Sequence, residues 1–280
     1  MRISLYTLIT SDSSLEESAA MAAAAGCDAV DLRQGRDETD TVHLPRTASD
    51  ADVAAARRVV EDAGLHLSGL TTYYILGRVG PESAADLDGL RRAFDLAAIL
   101  GAPFVRCSGP RIDPEAGYEA SRAAFREQAV AMAAAAAAVG VTLTVEQHSG
   151  SVFASAGQIL DRLRGLEPPG LGIVYDPGNC VWEGYERPGV QLDMIGRWVR
   201  AVHVKNAMPQ PAPGPAEQVP ADSTRLDQGL LDWPAIVAGL VAKGYGGYLT
   251  LEDFYGGFPS VAEKVAWDVA YLRGALIGGE

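Results

Sequence analysis

Two hydrophobic patterns alternate along this chain. Alanine-rich segments with the spacing of a helical face close on a glycine, and a short run of apolar, often β-branched residues follows at once. The device appears in A-A-A-A-G-C-D-A-V-D-L at Gly26, V-E-D-A-G-L-H-L-S-G-L at Gly64 and A-A-I-L-G-A-P-F-V-R at Gly101. It returns in A-A-A-V-G-V-T-L-T-V-E at Gly140 and V-A-K-G-Y-G-G-Y-L-T-L-E at Gly244. Glycine tolerates the left-handed conformation of a helix C-cap, so each marks a helix-to-strand junction. The first four junctions lie 38, 37 and 39 residues apart, the length of one strand-helix unit with its loops. The pattern predicts strands near residues 2–7, 28–33, 66–72, 103–108, 141–146, 172–176, 200–205 and 247–252. Ser13 or Ser14, Ser49, Ser83 and Asp232 stand where helix caps are expected, with Pro234 just inside the last helix. Eight such units predict an α/β fold, a single (β/α)8 TIM barrel over residues 1–280. The alternative is an open, doubly wound sheet. Its usual dinucleotide fingerprint is absent, since L-Y-T-L-I-T-S follows the first strand.

Four of the apolar runs turn ionic at their C-terminal ends. V-T-L-T-V-E-Q-H-S delivers Glu146 and His148, G-I-V-Y-D delivers Asp176, A-V-H-V-K delivers His203 and Lys205, and Y-L-T-L-E delivers Glu252. Parallel α/β enzymes carry their chemistry at this end of the strands. Three carboxylates and one imidazole suffice to hold one divalent ion, and oxygen ligands with a single imidazole suit Mn²⁺, Mg²⁺ or Co²⁺ better than thiolate-rich zinc chemistry. Strand alternation aims His148 to the same side as Glu146, and Lys205 to the same side as His203. A lysine pointing into a barrel mouth is costly unless it meets a carboxylate or a developing oxyanion. Arg106, at the end of the fourth strand, suits a substrate oxygen or an acidic neighbour. Asp31 and Arg33 are expected as its neighbours at the mouth, with His43 and His66 as structural loop and strand-start residues.

Residues 206–230 break the rhythm with five prolines and no hydrophobic period. A loop of that length inside a compact domain reads as a lid. Tyr73, Tyr74 and the R-V-G-P turn after the third strand, with Trp182 and Tyr185 after the sixth, are expected to wall the site beneath it.

Charge narrows the partners. The chain has 280 residues, a formal net charge of −13 and a pI near 4.7, which argues against nucleic acid and for a small polar substrate. No signal-peptide pattern opens it and no apolar stretch is long enough to span a bilayer, so no membrane is expected and a cytoplasmic location is. Self-association into a homo-oligomer is compatible with the sequence. Cys27, Cys107 and Cys180 are too few and too scattered for a disulfide framework, and read as small core residues.

V-E-Q-H, Y-D-P-G-N, H-V-K-N and the closing L-D-W-P-A-I-V-A-G-L-V-A-K-G-Y-G-G-Y-L-T-L-E, in this order, resemble the sugar phosphate isomerase/epimerase family of xylose-isomerase-like TIM barrels. The resemblance implies metal ligation by Glu146, Asp176, His203 and Glu252, with Mn²⁺ first among Mn²⁺, Mg²⁺, Co²⁺ and Zn²⁺. It implies Glu146 and Glu252 as the catalytic acid/base pair and His148 as a substrate contact. Lys205, Arg106, Asn179, Tyr73 and Trp182 complete the expected substrate-binding set. Asn179 departs from those family members that carry histidine three residues after the sixth-strand aspartate. The implied activity is metal-dependent isomerisation or epimerisation of a sugar or sugar-like ketone through an enediolate. Alternatives are a dehydratase of the 3-dehydroshikimate or inosose type, or a C-glycoside deglycosidase subunit that works with a small partner chain. The endonuclease IV branch would need more imidazoles than His43, His66, His148 and His203 supply. No glycine-rich phosphate cradle or run of Lys and Arg is present in the sequence, so a phosphorylated substrate has no local support.

Overall fold

The computed structural model describes residues 1–212, 214–216 and 218–278. Its strands are β1 (Arg2–Tyr6), β2 (Ala29–Arg33), β3 (His66–Ile75), β4 (Phe104–Ser108), β5 (Thr142–Glu146), β6 (Leu171–Tyr175), β7 (Val199–Val204), β8 (Asn206–Pro209), β9 (Ala221–Thr224) and β10 (Tyr248–Leu251). Eight of them, β1 to β7 and β10, close into a parallel barrel in chain order, while β8 and β9 form a separate antiparallel hairpin. Thr250 of β10 pairs with Ser4 of β1 on one side and His203 of β7 on the other, which completes the ring. Closure excludes the open sheet. Helices such as Leu15–Ala25, Ser83–Leu100 and Val261–Gly278 lie outside.

Each strand has two different faces. Leu5, Leu32, Val105, Val145, Ile173 and Leu251 are fully buried against the helical layer. Alternation sends the residues between them into the barrel. At its lower end Phe104, Val174 and Ala201 make a small apolar plug. Gly69 leaves room for it, since a Cβ there would stand 2.2 Å from the Phe104 ring. At the upper end the inward positions are polar.

The junction glycines Gly26, Gly64, Gly101, Gly140 and Gly244 all have φ between +73° and +85°, so their place at helix ends is a matter of backbone geometry. Ser14 and Ser49 form capping boxes with Glu17 and Asp52, and Asp232 caps its helix through Ala235. Ser83 does not cap. Glu82 occupies that position without a side-chain bond, while the Ser83 hydroxyl accepts from Gln128 Nε2 at 2.9 Å.

The proline-rich insert contains a short hairpin among its described residues. β8 and β9 pair within it, and Asn206, buried at the root of the hairpin, holds both ends. Its Nδ2 donates to the carbonyls of Leu226 and Leu231 at 2.9 Å, and its Oδ1 accepts from the N–H groups of Ala207 and Leu231 at 3.0 Å. Farther out, Val219 N–H donates to the Trp182 carbonyl at 2.8 Å.

Charge also fixes the chain after β10. Lys264 Nζ donates to the Asp253 carbonyl at 2.8 Å and pairs with its carboxylate at 2.6 Å, while the Tyr255 hydroxyl donates to Asp268 at 2.8 Å. Burial, then the charge of Asp253, push the Asp268 carboxyl up to about 9. Folding therefore takes up a proton at pH 7, because an unfolded aspartate ionises near pH 4. That contribution is present at low pH and is lost as pH rises from about 4 to about 9. Asp268→Asn is expected to flatten the loss, with the melting temperature falling less between about pH 5 and pH 8 than in the wild type. Parallel melting curves for the two proteins across that range would show that Asp268 ionises in the folded chain.

Candidate active site

Glu146 ends β5, Asp176 follows β6, His203 lies in β7 and Glu252 follows β10. All four are buried, and one ligand atom from each lies within 4.8 Å of the others. His203 Nδ1 stands 3.0 Å from Glu146 Oε1 and 3.0 Å from Glu252 Oε2. Lys205 Nζ lies 2.6 Å from Asp176 Oδ2 and 2.8 Å from Glu252 Oε2, and Arg106 Nη2 pairs with the other oxygen of Glu146. Lys205 and Arg106 thus both meet protein carboxylates, the reading that competed with substrate contact for each.

These contacts decide protonation. Burial alone would lower His203, but the charge of Glu252 and hydrogen bonding to the neighbouring acids raise it to about 9. Lys205 rises to about 12 because Asp176 and Glu252 outweigh its own desolvation. For Glu252, burial is overcome by Lys205 and His203, which hold the carboxyl well below its ordinary range.

The donors suit one divalent cation. A single proton on Nδ1 can bond only one of the two carboxylate oxygens that face it at equal distance, whereas an ion between them satisfies both. His203 Nε2 is buried without a hydrogen-bond partner, and Asp31 Oδ2 stands 4.0 Å behind it. An Nε2–H turned to Asp31 leaves the Nδ1 lone pair facing the carboxylates, as in other carboxylate-backed metal histidines. Asp31 is held from the far side by Thr71 Oγ1 at 2.8 Å. Sequence reading had Asp31 only as a neighbour at the mouth; its signal was an acid inside the apolar run A-V-D-L, on the inward register. Trp233 was missed altogether. It is fully buried, and its indole donates to the Lys205 carbonyl at 3.1 Å.

Above the cluster is a cavity of about 390 Å³ walled by Tyr6, Tyr73, His148, Asn179, Trp182 and Lys205, with Gln218 and Ser223 contributed by the insert. Tyr6 stacks on His203 with ring centres 5.6 Å apart. Desolvation, then the charge of Arg106, lower His148, which stands exposed at the cavity wall. Asn179 lines the cavity but spends both amide hydrogens inside the protein, on Asp176 Oδ2 at 2.7 Å and the Gln147 carbonyl at 2.9 Å. It therefore orients a carboxylate and leaves only its oxygen for a ligand. Tyr74 is not a wall residue. Its ring is buried against Gly89, where a Cβ would come within 2.0 Å, and under Arg46 at 4.2 Å. Tyr185 also lies outside the cavity, at φ 64°. All three cysteines are free and buried, with thiols pushed up to about 12 by burial. No helix among the described residues is long and apolar enough to cross a membrane.

Solved structures share this fold at low identity. An L-ribulose 3-epimerase aligns with a TM-score of 0.78 and 18% identity over 99% of this chain and 95% of its own. A xylose isomerase-like TIM barrel protein from Mycobacterium smegmatis, in complex with magnesium, aligns with a TM-score of 0.77 and 18% identity over 99% and 97%. A probable 3-DHS dehydratase from Bacillus anthracis aligns with a TM-score of 0.74 and 14% identity over 98% and 99%. No curated protein sequence matches. The family model for the xylose isomerase-like TIM barrel matches residues 19–275, nearly the whole of the chain. The chain belongs to that family.

Proposed function

We propose that this protein is a divalent-metal-dependent isomerase or epimerase of a small carbohydrate-like ketone, and that it moves a proton at the carbon beside the carbonyl. The observation that carries the reading is the pair Glu146 and Glu252, each 3.0 Å from the same imidazole nitrogen of His203, with Glu252 lining a cavity sized for a small ligand. Glu146, Asp176, His203 and Glu252 would hold the ion, with Mn²⁺ the first choice and Mg²⁺, Co²⁺ or Zn²⁺ compatible. The chemistry such an ion would supply there is Lewis acidity toward a carbonyl, which would acidify the neighbouring C–H.

The side chains do the rest. Glu252, kept ionised by Lys205, accepts a proton from one face of the substrate, and Glu146 in its protonated form returns one from the other. Lys205 is charged and bonds a substrate oxygen as negative charge develops on it. Arg106 and Asn179 are positioning residues for Glu146 and Asp176. Tyr73, His148 and Trp182 contact the substrate. The hairpin insert acts as a lid, tied down through Glu183, whose Oε1 accepts from Gly150 N–H at 2.6 Å and from Gln218 Nε2 at 3.0 Å.

A dehydratase reading draws on Tyr73. Burial raises its phenol, but hydrogen bonds with Tyr6 and Arg33 and the nearby arginines lower it overall. A phenol of lowered pKa at the cavity wall is a suitable acid for a departing hydroxyl. Release of water, followed as growth of a conjugated-enone or aromatic absorbance, separates lyase from isomerase.

Metal binding is the first test. Calorimetry with Mn²⁺ is expected to give one site, weakened by at least ~10-fold in His203→Ala and unchanged in His66→Ala. Equal affinities in the two variants would refute the ligand assignment. The raised pKa of His203 adds a pH signature, because the ion must displace its proton. Affinity is expected to climb by about tenfold per pH unit from neutrality toward about 9 and then level, with proton release seen as a buffer-dependent heat.

Proton transfer is the second test. With an accepted ketone, solvent deuterium is expected at the carbon beside the carbonyl. Glu252→Gln should lower kcat by ~100-fold or more while still binding Mn²⁺. A Glu252→Gln variant that turns over at the wild-type rate without taking up deuterium would leave the carboxylate a ligand only.

A further inference from the structure

We propose that a second cavity beside the first is a subsite for an oxyanionic substituent of the substrate, a carboxylate or a phosphate. The substrate is then an acidic polyol ketone and not a neutral sugar. This deepens the isomerase reading and rests on it for the position of the carbonyl. The outer cavity has a volume of about 610 Å³ and shares Arg36, Tyr73, Arg106, His148 and Ser149 with the inner one, so the two adjoin at these residues. The inner chamber at about 390 Å³ already lies in the range of small-ligand sites, roughly 300–1,000 Å³. The outer one is room for something more.

Its lining runs against the charge of the whole molecule. In a chain of net charge −13, four arginines, Arg36, Arg78, Arg106 and Arg111, face this space with only Glu82 and Asp113 as acids. They come from the loops after β2 and β3 and from the end of β4 and the loop beyond it, which is why no basic run exists in the sequence. Arg78 is spent on Glu82 and Asp86, and Arg106 on Glu146. Asp113 bonds the N–H groups of Glu115 and Ala116. Arg36 and Arg111 have no ion-pair partner among the described residues. Arg36 lies 4.7 Å over the face of Tyr73, a stack that fixes its guanidinium where the two chambers join.

Two buried donors also lack partners here. Ser121 is 1% exposed and Arg106 5% exposed, and the Ser121 hydroxyl and Arg106 Nε make no hydrogen bond. Unpartnered buried donors cost free energy, and an oxyanion supplies acceptors to several at once. Planar guanidinium groups suit carboxylate and phosphate oxygens because they donate in pairs. A neutral sugar hydroxyl would satisfy a donor without balancing the charge. A molecule whose ketone sits between Glu146 and Glu252 would pass Tyr73 and His148 to lodge its acidic end among Arg36 and Arg111.

The test compares, on the Mn²⁺-loaded protein, a free ketohexose, its 6-phosphate and the ketohexuronate oxidised at the same carbon. The readout is solvent-deuterium incorporation. One acidic compound is expected to exceed the neutral one by at least about tenfold in kcat/KM, and whichever leads identifies phosphate or carboxylate as the group. The ratio is expected to collapse in Arg36→Ala/Arg111→Ala and to survive in Arg91→Ala. Equal exchange into all three compounds, or a faster neutral ketose, would overturn the subsite and leave the proton-transfer reading standing. If none exchanges, titration with inorganic phosphate and with malonate decides. Binding by the wild type that the double variant loses supports the subsite independently of the reaction. No binding, or equal binding by both proteins, refutes it.

Discussion

Three buried carboxylates, Glu146, Asp176 and Glu252, converge at the mouth of a closed barrel. Leaving any one of them charged and unpaired there costs several kcal/mol, and their mutual repulsion adds to it. The surrounding structure is built to balance this. His203, raised to about 9, and Lys205, raised to about 12, supply positive charge, and Arg106 supplies a third. The cations meet the carboxylates because all of them sit on inward registers of successive parallel strands. A one-residue slip of any strand would send its charged end into the apolar layer under the helices. Strand pairing and site electrostatics are therefore the same constraint, read once along the backbone and once through the side chains.

A second ring of groups holds the first. Asp31 backs His203, Asn179 bonds Asp176, Trp233 bonds the Lys205 carbonyl, and Lys264 fixes Asp253 beside Glu252. Each is buried, and Asp31 reaches His203 from β2, a strand that is not paired with β7. The proposed proton transfer tolerates errors of only about half an ångström, so such support belongs to the proposed chemistry as much as the carboxylates do. Asn206 extends the logic outward, where one buried amide sets both ends of the insert that overlies the cavity.

The barrel and its four convergent residues were legible because both obey short-range rules. A glycine at each helix end and a polar residue on alternate strand positions can be counted along the chain. Two kinds of feature escaped. The first is a side chain whose surroundings only the fold brings together: Asn179 lines the cavity as read but also holds Gln147 and Asp176 with its two donors, and Tyr74 reads as an aromatic wall until Gly89 is seen making room beneath it. The second is order without periodicity. Five prolines suppress any strand signal in residues 206–230, yet β8 and β9 need only four residues each, and their stability comes from Asn206 and the Trp182 carbonyl. Ser83 shows the lesser error of a local rule applied one residue late, since Gln128 takes its hydroxyl before the helix can.

The distribution of charge separates what this molecule shares with its fold from what is its own. The lower barrel is an apolar plug of Phe104, Val174 and Ala201, and the outer faces of the strands are apolar as well, so stability is drawn from parts that carry no chemistry. The cluster of Glu146, Asp176, His203 and Glu252 lies on the strand ends, where rigid backbone fixes it. Arg36, Arg78 and Arg111 lie one step farther out, on loops whose sequence can change without disturbing the strand registers. On the proposed reading, reaction type is bound to the barrel and the choice of substrate to the loops after β2, β3 and β4. That division accounts for a chain of strongly negative net charge that still gathers arginines at a single opening.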